Sequence, residues 1–313
     1  MTVREFLQKL NDETFLAKAA ITTASGGQLS PEDADKFIDT VVEENDFFDK
    51  HAEIVKMTAS TKNIDIIGIA SRVLRKATEG VAPTETVGVN IERRSLETVE
   101  VILPYDVSYS FLEENIEGKD VDDLLNKMFA KQFGNDLLDL GCNGDSSSAD
   151  DFLKIDDGWI EIIKNDANVH EFVGNAGNKT DYKGHVFPGL ISSLPNKWKR
   201  NLNALAIYVS PTVEEAYRSE LADRATALGD QMLTEKRIAR YKGIDVVPVA
   251  YFPDDFFLLT IRQNLKVGVG RQISYERQPQ PRKRIIEYTI TAKIDFNYAI
   301  SDAIAYAYTG DWS

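Results

Sequence analysis

The sequence has few of the residues that crosslink secreted proteins or bind metals. Its 313 residues include one cysteine, Cys142, and three histidines, His51, His170 and His185. A single cysteine excludes an internal disulfide and is typical of a reducing compartment. The histidines do not have the spacing of metal ligands, so the sequence predicts no metal site and no cofactor.

Long apolar runs and positive charge are also scarce. No run of 18 apolar residues occurs, so no membrane-spanning helix is expected. The first 15 residues contain both acidic and basic side chains and lack the apolar segment of a signal peptide, so we expect no signal peptide. Lys and Arg total 36 against 50 Asp and Glu, a formal net charge of −14. This balance disfavours general nucleic-acid binding through phosphate contacts.

Catalytic motifs are missing as well. Gly268-Val269-Gly270 resembles the start of a nucleotide loop but lacks the third glycine and the following helix, so we interpret it as a turn or bulge. Asp156 and Asp157 precede a glycine at a predicted helix start, which is more typical of capping than of acid–base chemistry. Cys142 follows a predicted helix end, where we expect an inert thiol.

The strongest pattern present is an alternating stretch that leads into a helix, between Leu96 and Asp145. From Val99 to Phe111 the odd positions are apolar and the even positions mostly polar. This alternation predicts a strand with one buried face. Pro104 cannot donate to a strand ladder, so we expect an edge, a bulge or a bend there.

The helix pattern runs from Val121 to Leu140, with apolar residues at i, i+3 and i+4 spacing. Such a helix would be about 30 Å long and should lie against a sheet. We expect Asp120 to cap its start and Gly141 to end it. Residues 285 to 300 alternate in the same way as residues 99 to 111, and we expect the two strands to pair under the helix.

Two further regions carry structural signals. Residues 57 to 98 contain an apolar strand at Ile64–Ile69, a tip rich in glycine and polar residues at Ala77–Gly88, and a returning strand from Val89. They predict a two-stranded arm, which should need a partner surface because a lone hairpin is only marginally stable. From Pro188 onward strands and helices alternate, which is typical of an α/β unit.

Basic residues are concentrated at Arg277 and at Arg282 to Arg284, with Arg271 nearby. The alternatives are a solvated or salt-bridged strand entry, pairing with an acidic neighbouring subunit, and binding of phosphate or nucleic acid. We favour the first two because the chain as a whole is acidic.

Four stretches, in their order and spacing, resemble the major capsid proteins of tailed bacteriophages, which have the HK97-like fold. The first is Ser30 to Lys50, SPEDADKFIDTVVEENDFFDK. The second, Leu96 to Asp145, is similar to the return strand of an extended loop, the first body strand and the spine helix. The others are Lys154 to Ile163, KIDDGWIEII, and the strand, helix and strand from Leu205 through Ala250.

The resemblance implies an α+β fold with four parts. These are an N-terminal arm (1 to 56), an extended hairpin loop (57 to 103), a peripheral domain (104 to 189 and 269 to 300) and an α/β axial domain (190 to 268 and 301 to 313). The peripheral domain would hold a spine helix, 120 to 141, on a β-sheet.

The resemblance also implies a structural protein of the virion and not an enzyme. Hexamers and pentamers of the chain would assemble in the host bacterial cytoplasm into an icosahedral head around double-stranded DNA, without sequence-specific binding. Because about 30 residues precede the family-like start, we expect a separate scaffolding protein, with a portal and in some cases a decoration protein. The residues expected at subunit contacts are basic: Arg72, Arg75, Lys76, Arg93, Arg94, Arg282, Lys283 and Arg284.

Three other functions stay open from the sequence. An encapsulin-type nanocompartment shell has the same fold, and a tail-tube subunit is another phage structural protein. A phosphate-dependent α/β enzyme would be a monomer or small oligomer with a saturable ligand, whereas a shell protein would form closed particles.

Overall fold

A computed structural model describes residues 46–69, 89–110, 121–222, 239–270 and 274–312. The helices of these ranges are α1 (Asp46–Lys50), α2 (Val121–Asn143), α3 (Trp159–Asn165), α4 (Phe187–Ser193) and α5 (Pro211–Ala222). None of these described helices combines the length and apolar character needed to cross a membrane.

The strands form two larger sheets and a hairpin. In chain order they are β1 (Ala52–Met57), β2 (Thr61–Ile69), β3 (Val89–Glu97), β4 (Val99–Ser108), β5 (His170–Glu171), β6 (Leu205–Val209), β7 (Arg240–Tyr241), β8 (Ile244–Pro248), β9 (Phe256–Ile261), β10 (Leu265–Gly270), β11 (Ser274–Gln280), β12 (Ile285–Tyr298) and β13 (Ala305–Tyr308). The first sheet has the order β1-β10-β12-β11, and β4 also pairs with β12. The second has the order β5-β13-β9-β6-β8-β7, and β2 pairs with β3. This mixed α and β content matches the predicted class.

The long strand β12 organises the first sheet. It pairs antiparallel with β4 from Val99↔Ile294 to Ser108↔Ile285, which confirms the pairing predicted from the two alternating patterns. Odd positions of β4 from Val101 onward turn inward, and its even positions are exposed. Within the described residues β4 has no second partner strand, so Pro104 lies on an edge, as expected for a residue without a backbone donor.

Helix α2 covers this sheet, as predicted. The ring of Phe129 stacks on Tyr105 of β4 at 3.5 Å between centroids. Nearer its C-terminus, Phe133 and Leu137 belong to the same buried cluster as Ile294 of β12. An apolar helix stripe over an apolar sheet face is how a helix–sheet layer gains stability. The predicted cap, Asp120, lies outside the described residues.

Gly141 was predicted to end the helix, and this prediction is wrong. Helix α2 continues to Asn143, and Gly141 lies in its last turn. A Cβ at Gly141 would lie 2.9 Å from Cε1 of Phe296 and 3.0 Å from Cζ3 of Trp159. The glycine therefore allows close packing of the helix on β12 and α3, which is a tertiary requirement that the helix pattern does not reveal.

The first sheet also contains residues that the sequence placed elsewhere. Strand β1 runs parallel to β10, although residues 52 to 56 were expected in an N-terminal arm. Residues 265 to 268, expected in an axial domain, belong to β10. Gly268 and Gly270 therefore lie in a regular strand paired to β1 and β12, and not in the turn or bulge that we predicted. These pairings join distant segments, so local sequence gives little sign of them.

The second sheet is buried along most of its length. All five residues of β6 are buried, between parallel β8 and antiparallel β9. Phe187 of α4 and Tyr217 of α5 pack edge to face at 5.0 Å on this sheet. The α/β character predicted from Pro188 onward is thus present. The short strand β5, which precedes Pro188 in the chain, also joins this sheet by pairing with β13 at its edge.

Candidate functional site

The hairpin formed by β2 and β3 is a two-stranded sheet separate from the two larger sheets. Nine residue pairs join its strands, from Thr61↔Glu97 to Ile69↔Val89. At about 3.4 Å per residue it is about 30 Å long. No other strand in the described ranges pairs with it. The predicted two-stranded arm is confirmed: β2 begins three residues before the predicted Ile64–Ile69, and β3 begins at Val89 as predicted. Its predicted tip, Ala77–Gly88, lies outside the described residues.

A buried side chain, Leu96, supplies one of the contacts that attach the base of the hairpin to the first sheet. Leu96 has no exposed surface. A Cβ on Gly268 of β10 would lie 3.3 Å from Cδ1 of Leu96 and 2.8 Å from Sδ of Met57. The glycine thus leaves room for both side chains. The backbone N–H of Thr98 donates to the carbonyl of Ser60 at 2.9 Å, which closes the base.

Arg94 supplies a polar attachment. Its guanidinium group forms an ion pair with Asp166, just after α3, and lies 4.1 Å from the centroid of the Tyr298 ring. The hydroxyl of Tyr298 donates to the same carboxylate at 2.5 Å. Burial acts to raise the pKa of Asp166, but hydrogen bonds from Tyr298, the backbone of Asn168 and Arg94 lower it to about 2.

Two further contacts join β3 to β12. The backbone N–H of Glu97 donates to Oδ2 of Asp295 at 2.5 Å. The side-chain amide of Asn297 donates to the carbonyl of Ser95 at 2.9 Å. We use the term hairpin clamp for the five side chains that hold the hairpin base in these ways: Arg94, Asp166, Asp295, Asn297 and Tyr298.

The predicted capping by Asp156 and Asp157 is wrong. The N-cap of α3 is Gly158, and no side chain bonds to the cap. A Cβ on Gly158 would lie 2.7 Å from the carbonyl oxygens of Leu140 and Gly141, so helix α2 passes too close for another residue. Asp157 instead accepts a hydrogen bond from the backbone N–H of Ser146 at 2.7 Å.

Asp156 interacts with Asp295 of the clamp. Burial, followed by the nearby Asp295 carboxylate, raises the pKa of Asp156 to about 7. Burial raises the pKa of Asp295 to about 6, although two backbone N–H groups hydrogen-bond to it. Nothing in the local sequence of either residue predicts this pairing, because they are 139 positions apart.

The predicted contact residues fall into separate groups. Arg94 belongs to the clamp, while the exposed Arg93 bonds Asp65 across the hairpin at 2.7 Å. Arg282, Lys283 and Arg284 are exposed in the turn between β11 and β12. Lys283 pairs with Glu287 at 3.0 Å, which agrees with the salt-bridged alternative for this residue. Three others lie outside the described residues: Arg72, Arg75 and Lys76.

The structure does not bring the two described basic groups together. The hairpin base adjoins Val99 at one end of β4, whereas the basic turn adjoins Ser108 at the other. Ten residues of strand separate them by about 30 Å. Any partner that contacts both groups must therefore extend along this edge of the first sheet.

The described ranges contain no candidate metal centre. No group of three or more His, Cys, Asp or Glu residues there could hold a metal ion. Cys142 is fully buried, and burial raises the pKa of its thiol well above the usual range, as expected for an inert cysteine. His170 contacts Asp302 at 3.1 Å, and the same carboxylate accepts a hydrogen bond from Trp198.

Comparison with known proteins gives a consistent result. No family model matches the chain. It is 30% identical over 317 residues to a Bacillus subtilis (strain 168) protein named "Putative prophage capsid protein YqbE". The alignment covers 95% of this chain and 98% of the relative. A chain from the satellite phage P4 procapsid including size determination (Sid) protein shares the fold, with a TM-score of 0.72, 17% identity and 98% of each chain covered. The capsid of the empty GTA particle has a TM-score of 0.57 and 15% identity, over 82% of this chain and 87% of that one.

Proposed function

The chain belongs to the family of phage capsid proteins, and we propose that it is the major capsid protein of an icosahedral phage head. The observation that carries this proposal is the alignment with a prophage capsid protein along nearly the full length of both chains. Hexamers and pentamers of the chain form the shell, which encloses double-stranded DNA after assembly in the host bacterial cytoplasm. The role is structural and not catalytic.

The hairpin supports a role in joining subunits. Its two strands have only each other as strand partners in the described part of the chain, and an isolated hairpin is marginally stable in water. A neighbouring subunit supplies the surface that it lacks. The clamp fixes the angle at which the hairpin leaves the first sheet. Arg94 therefore acts within its own chain, by holding the hairpin base.

The exposed basic residues are the proposed contacts with neighbours. Arg282, Lys283 and Arg284 project at one end of the first sheet, and a chain of net charge −14 offers acidic surface on the adjacent subunit. Arg93 of the hairpin and the basic residues expected near its tip have the same role. An acidic inner face of the shell would repel DNA and let it pack densely.

The remaining partners follow from the family resemblance. A separate scaffolding protein guides assembly, a portal protein occupies one vertex, and a decoration protein binds outside in some heads. In the same scheme the first sheet and α2 form the peripheral domain, and the second sheet forms the axial domain around the hexamer or pentamer axis.

Electron microscopy of the purified chain under assembly conditions tests the proposal. We expect closed icosahedral particles with fivefold and sixfold capsomers. Open tubes or rings would instead indicate a tail-tube subunit. A protein that stays below a tetramer and gains thermal stability from a nucleotide would contradict the shell role and favour an enzyme.

The contribution of the hairpin is tested by replacing residues 70–88 with Asn-Gly, a two-residue turn suited to joining the paired Ile69 and Val89. We expect an unchanged unfolding midpoint and at least a tenfold lower yield of closed shells. Normal shells from this variant would contradict a role for the distal part of the arm in assembly.

A further inference from the structure

Two carboxyl groups meet where the hairpin joins the first sheet. Asp295, on β12, accepts hydrogen bonds from the backbone N–H of Glu97 at 2.5 Å and of Phe296 at 2.8 Å. Asp156 approaches from the segment before α3, and its Oδ1 accepts from the backbone of Asp157 at 3.0 Å. Its Oδ2 is buried and has no hydrogen-bond partner in the described part of the chain.

This arrangement favours one proton on the pair. Asp295 already has a backbone donor on each oxygen, so it is well placed to remain the acceptor. A proton on Asp156 would give that residue a donor and would remove the repulsion between two buried charges. Because the two groups are coupled, the proton belongs to the pair and not to one residue.

The surrounding charges add to this preference. The charged groups that act on the pair are acidic: Asp157 next to Asp156, and Glu97 next to Asp295. The basic residues on adjoining strands have other partners, Arg94 with Asp166 on one side and Lys266 with Glu53 on the other.

Other charged neighbours have a smaller effect on the pair. Lys293 lies two residues before Asp295 on β12, but after burial the groups that dominate the pKa of Asp295 are its backbone donors, Glu97 and Asp156. On α3, Glu161 bonds Asn165, and Lys164 lies over the ring of Tyr308. On α2, Asp139 bonds Asn143.

We propose that Asp156 and Asp295 form a proton-operated latch, in which one shared proton holds the end of β3 on β12 and loss of that proton loosens the hairpin base. The bond that links the latch to the hairpin is the one from the Glu97 backbone to Asp295. The latch is a property of the single chain and does not depend on shell formation.

The direction of the pH effect follows from the two pKa shifts. Burial and repulsion raise the pKa of Asp156 to about 7 and burial raises that of Asp295 to about 6. When the base opens and both groups reach water, their pKa values fall towards 3.8. The closed form therefore binds more protons between about pH 4 and pH 7, so closure weakens as the pH rises through that range.

Hydrogen exchange of the Glu97 amide in the full, unassembled chain tests the latch. Expressed as a protection factor, which removes the intrinsic pH dependence of exchange, we expect protection at least tenfold lower at pH 8.0 than at pH 5.5. In Asp156→Asn the difference should be less than twofold, because the repelling charge is gone. The matched control, Asp157→Asn, should keep the tenfold difference.

Three results would overturn the latch. One is equal protection of Glu97 in the original chain at both pH values, which needs no variant. Another is an unchanged pH dependence in Asp156→Asn. The third is an equal loss of protection in β6 of the second sheet, because the proton would then act on global stability and not on the hairpin base.

Discussion

Strand β6 of the second sheet and strand β3 of the hairpin are both regular strands, but they reach stability differently. All five residues of β6 are buried, with a partner strand on each edge. On β3, Leu96 is buried, whereas Arg93 and Glu97 on the same strand are exposed. Within the described ranges β3 has β2 as its one partner strand.

This difference in burial separates the second sheet, which is packed within one chain, from the hairpin, which we propose is packed against a neighbouring subunit. Full burial of a Leu, Ile or Val side chain contributes about 1.5–3 kcal/mol. The second sheet collects many such contributions within one chain, whereas the described hairpin side chains include a single fully buried one, Leu96. The hairpin is held at its base, and in the proposed shell a neighbouring subunit supplies the rest of its stability.

The largest expected effect lies where the helices meet the first sheet. Trp159 is fully buried, and its Nε1 donates to the carbonyls of Lys266 and Asn297 at 3.1 and 3.0 Å. Trp159→Ala should lower the free energy of unfolding by about 3–5 kcal/mol in urea denaturation. Trp198→Ala, at a half-buried ring, should cost less than half of that. An equal loss of unfolding free energy in the two variants would show that the contact between α3 and the first sheet is not a central part of the core.

A smaller effect is expected where α2 approaches β12 most closely. Gly141→Ala places a Cβ 2.9 Å from the ring of Phe296 and should cost about 1–3 kcal/mol through overpacking. At Gly177 a Cβ would meet nothing within 4 Å, so Gly177→Ala is the matched control and should change stability by less than about 0.5 kcal/mol. Thermal unfolding of both variants compares them, and a neutral Gly141→Ala would contradict close packing there.

The clamp should affect the hairpin more than the body. Arg94→Ala removes the partly buried pair with Asp166 and should cost about 1–2 kcal/mol, seen mainly as faster amide exchange in residues 93–98. Arg93→Ala removes an exposed pair and should cost less than about 0.5 kcal/mol. If both variants exchanged at the same rate, the clamp would have no special part in holding the hairpin.

The smallest expected effect is at the free edge of the first sheet. Ile102 on β4 is 63% exposed. Ile102→Thr should change the free energy of unfolding by less than about 0.5 kcal/mol, because both residues suit a strand and little burial is lost. Urea denaturation checks this, and a cost above 1 kcal/mol would mean that Ile102 contributes to the body of the isolated chain.

Patterns with a period of two or 3.6 residues predicted much of the fold. The alternation in residues 99 to 111 and 285 to 300 was sufficient to predict both strands and their pairing. By contrast, β1 is short, and its parallel partner β10 lies more than 200 residues later, so its place in the first sheet has no local signal. Gly141 fits the sequence rule for a helix end, yet close packing on Phe296 explains its presence.

The site was less predictable than the fold. Arg94 was selected for its charge, but the structure places it in an intrachain contact with Asp166 and Tyr298. Sequence reasoning missed Asp166, and it treated Asp156 as a helix cap. Their roles depend on groups that are distant along the chain, and only the folded structure brings such groups together.

Hydrogen exchange of the hairpin before and after assembly tests the central claim most directly. The claim is that the body is complete in one chain and that the hairpin is completed by a neighbour. We expect amides of residues 61–69 and 89–97 to become at least tenfold more protected in assembled particles, while those of β6 stay unchanged. Hairpin protection that already equals that of β6 in the isolated chain, or that does not rise on assembly, would contradict it.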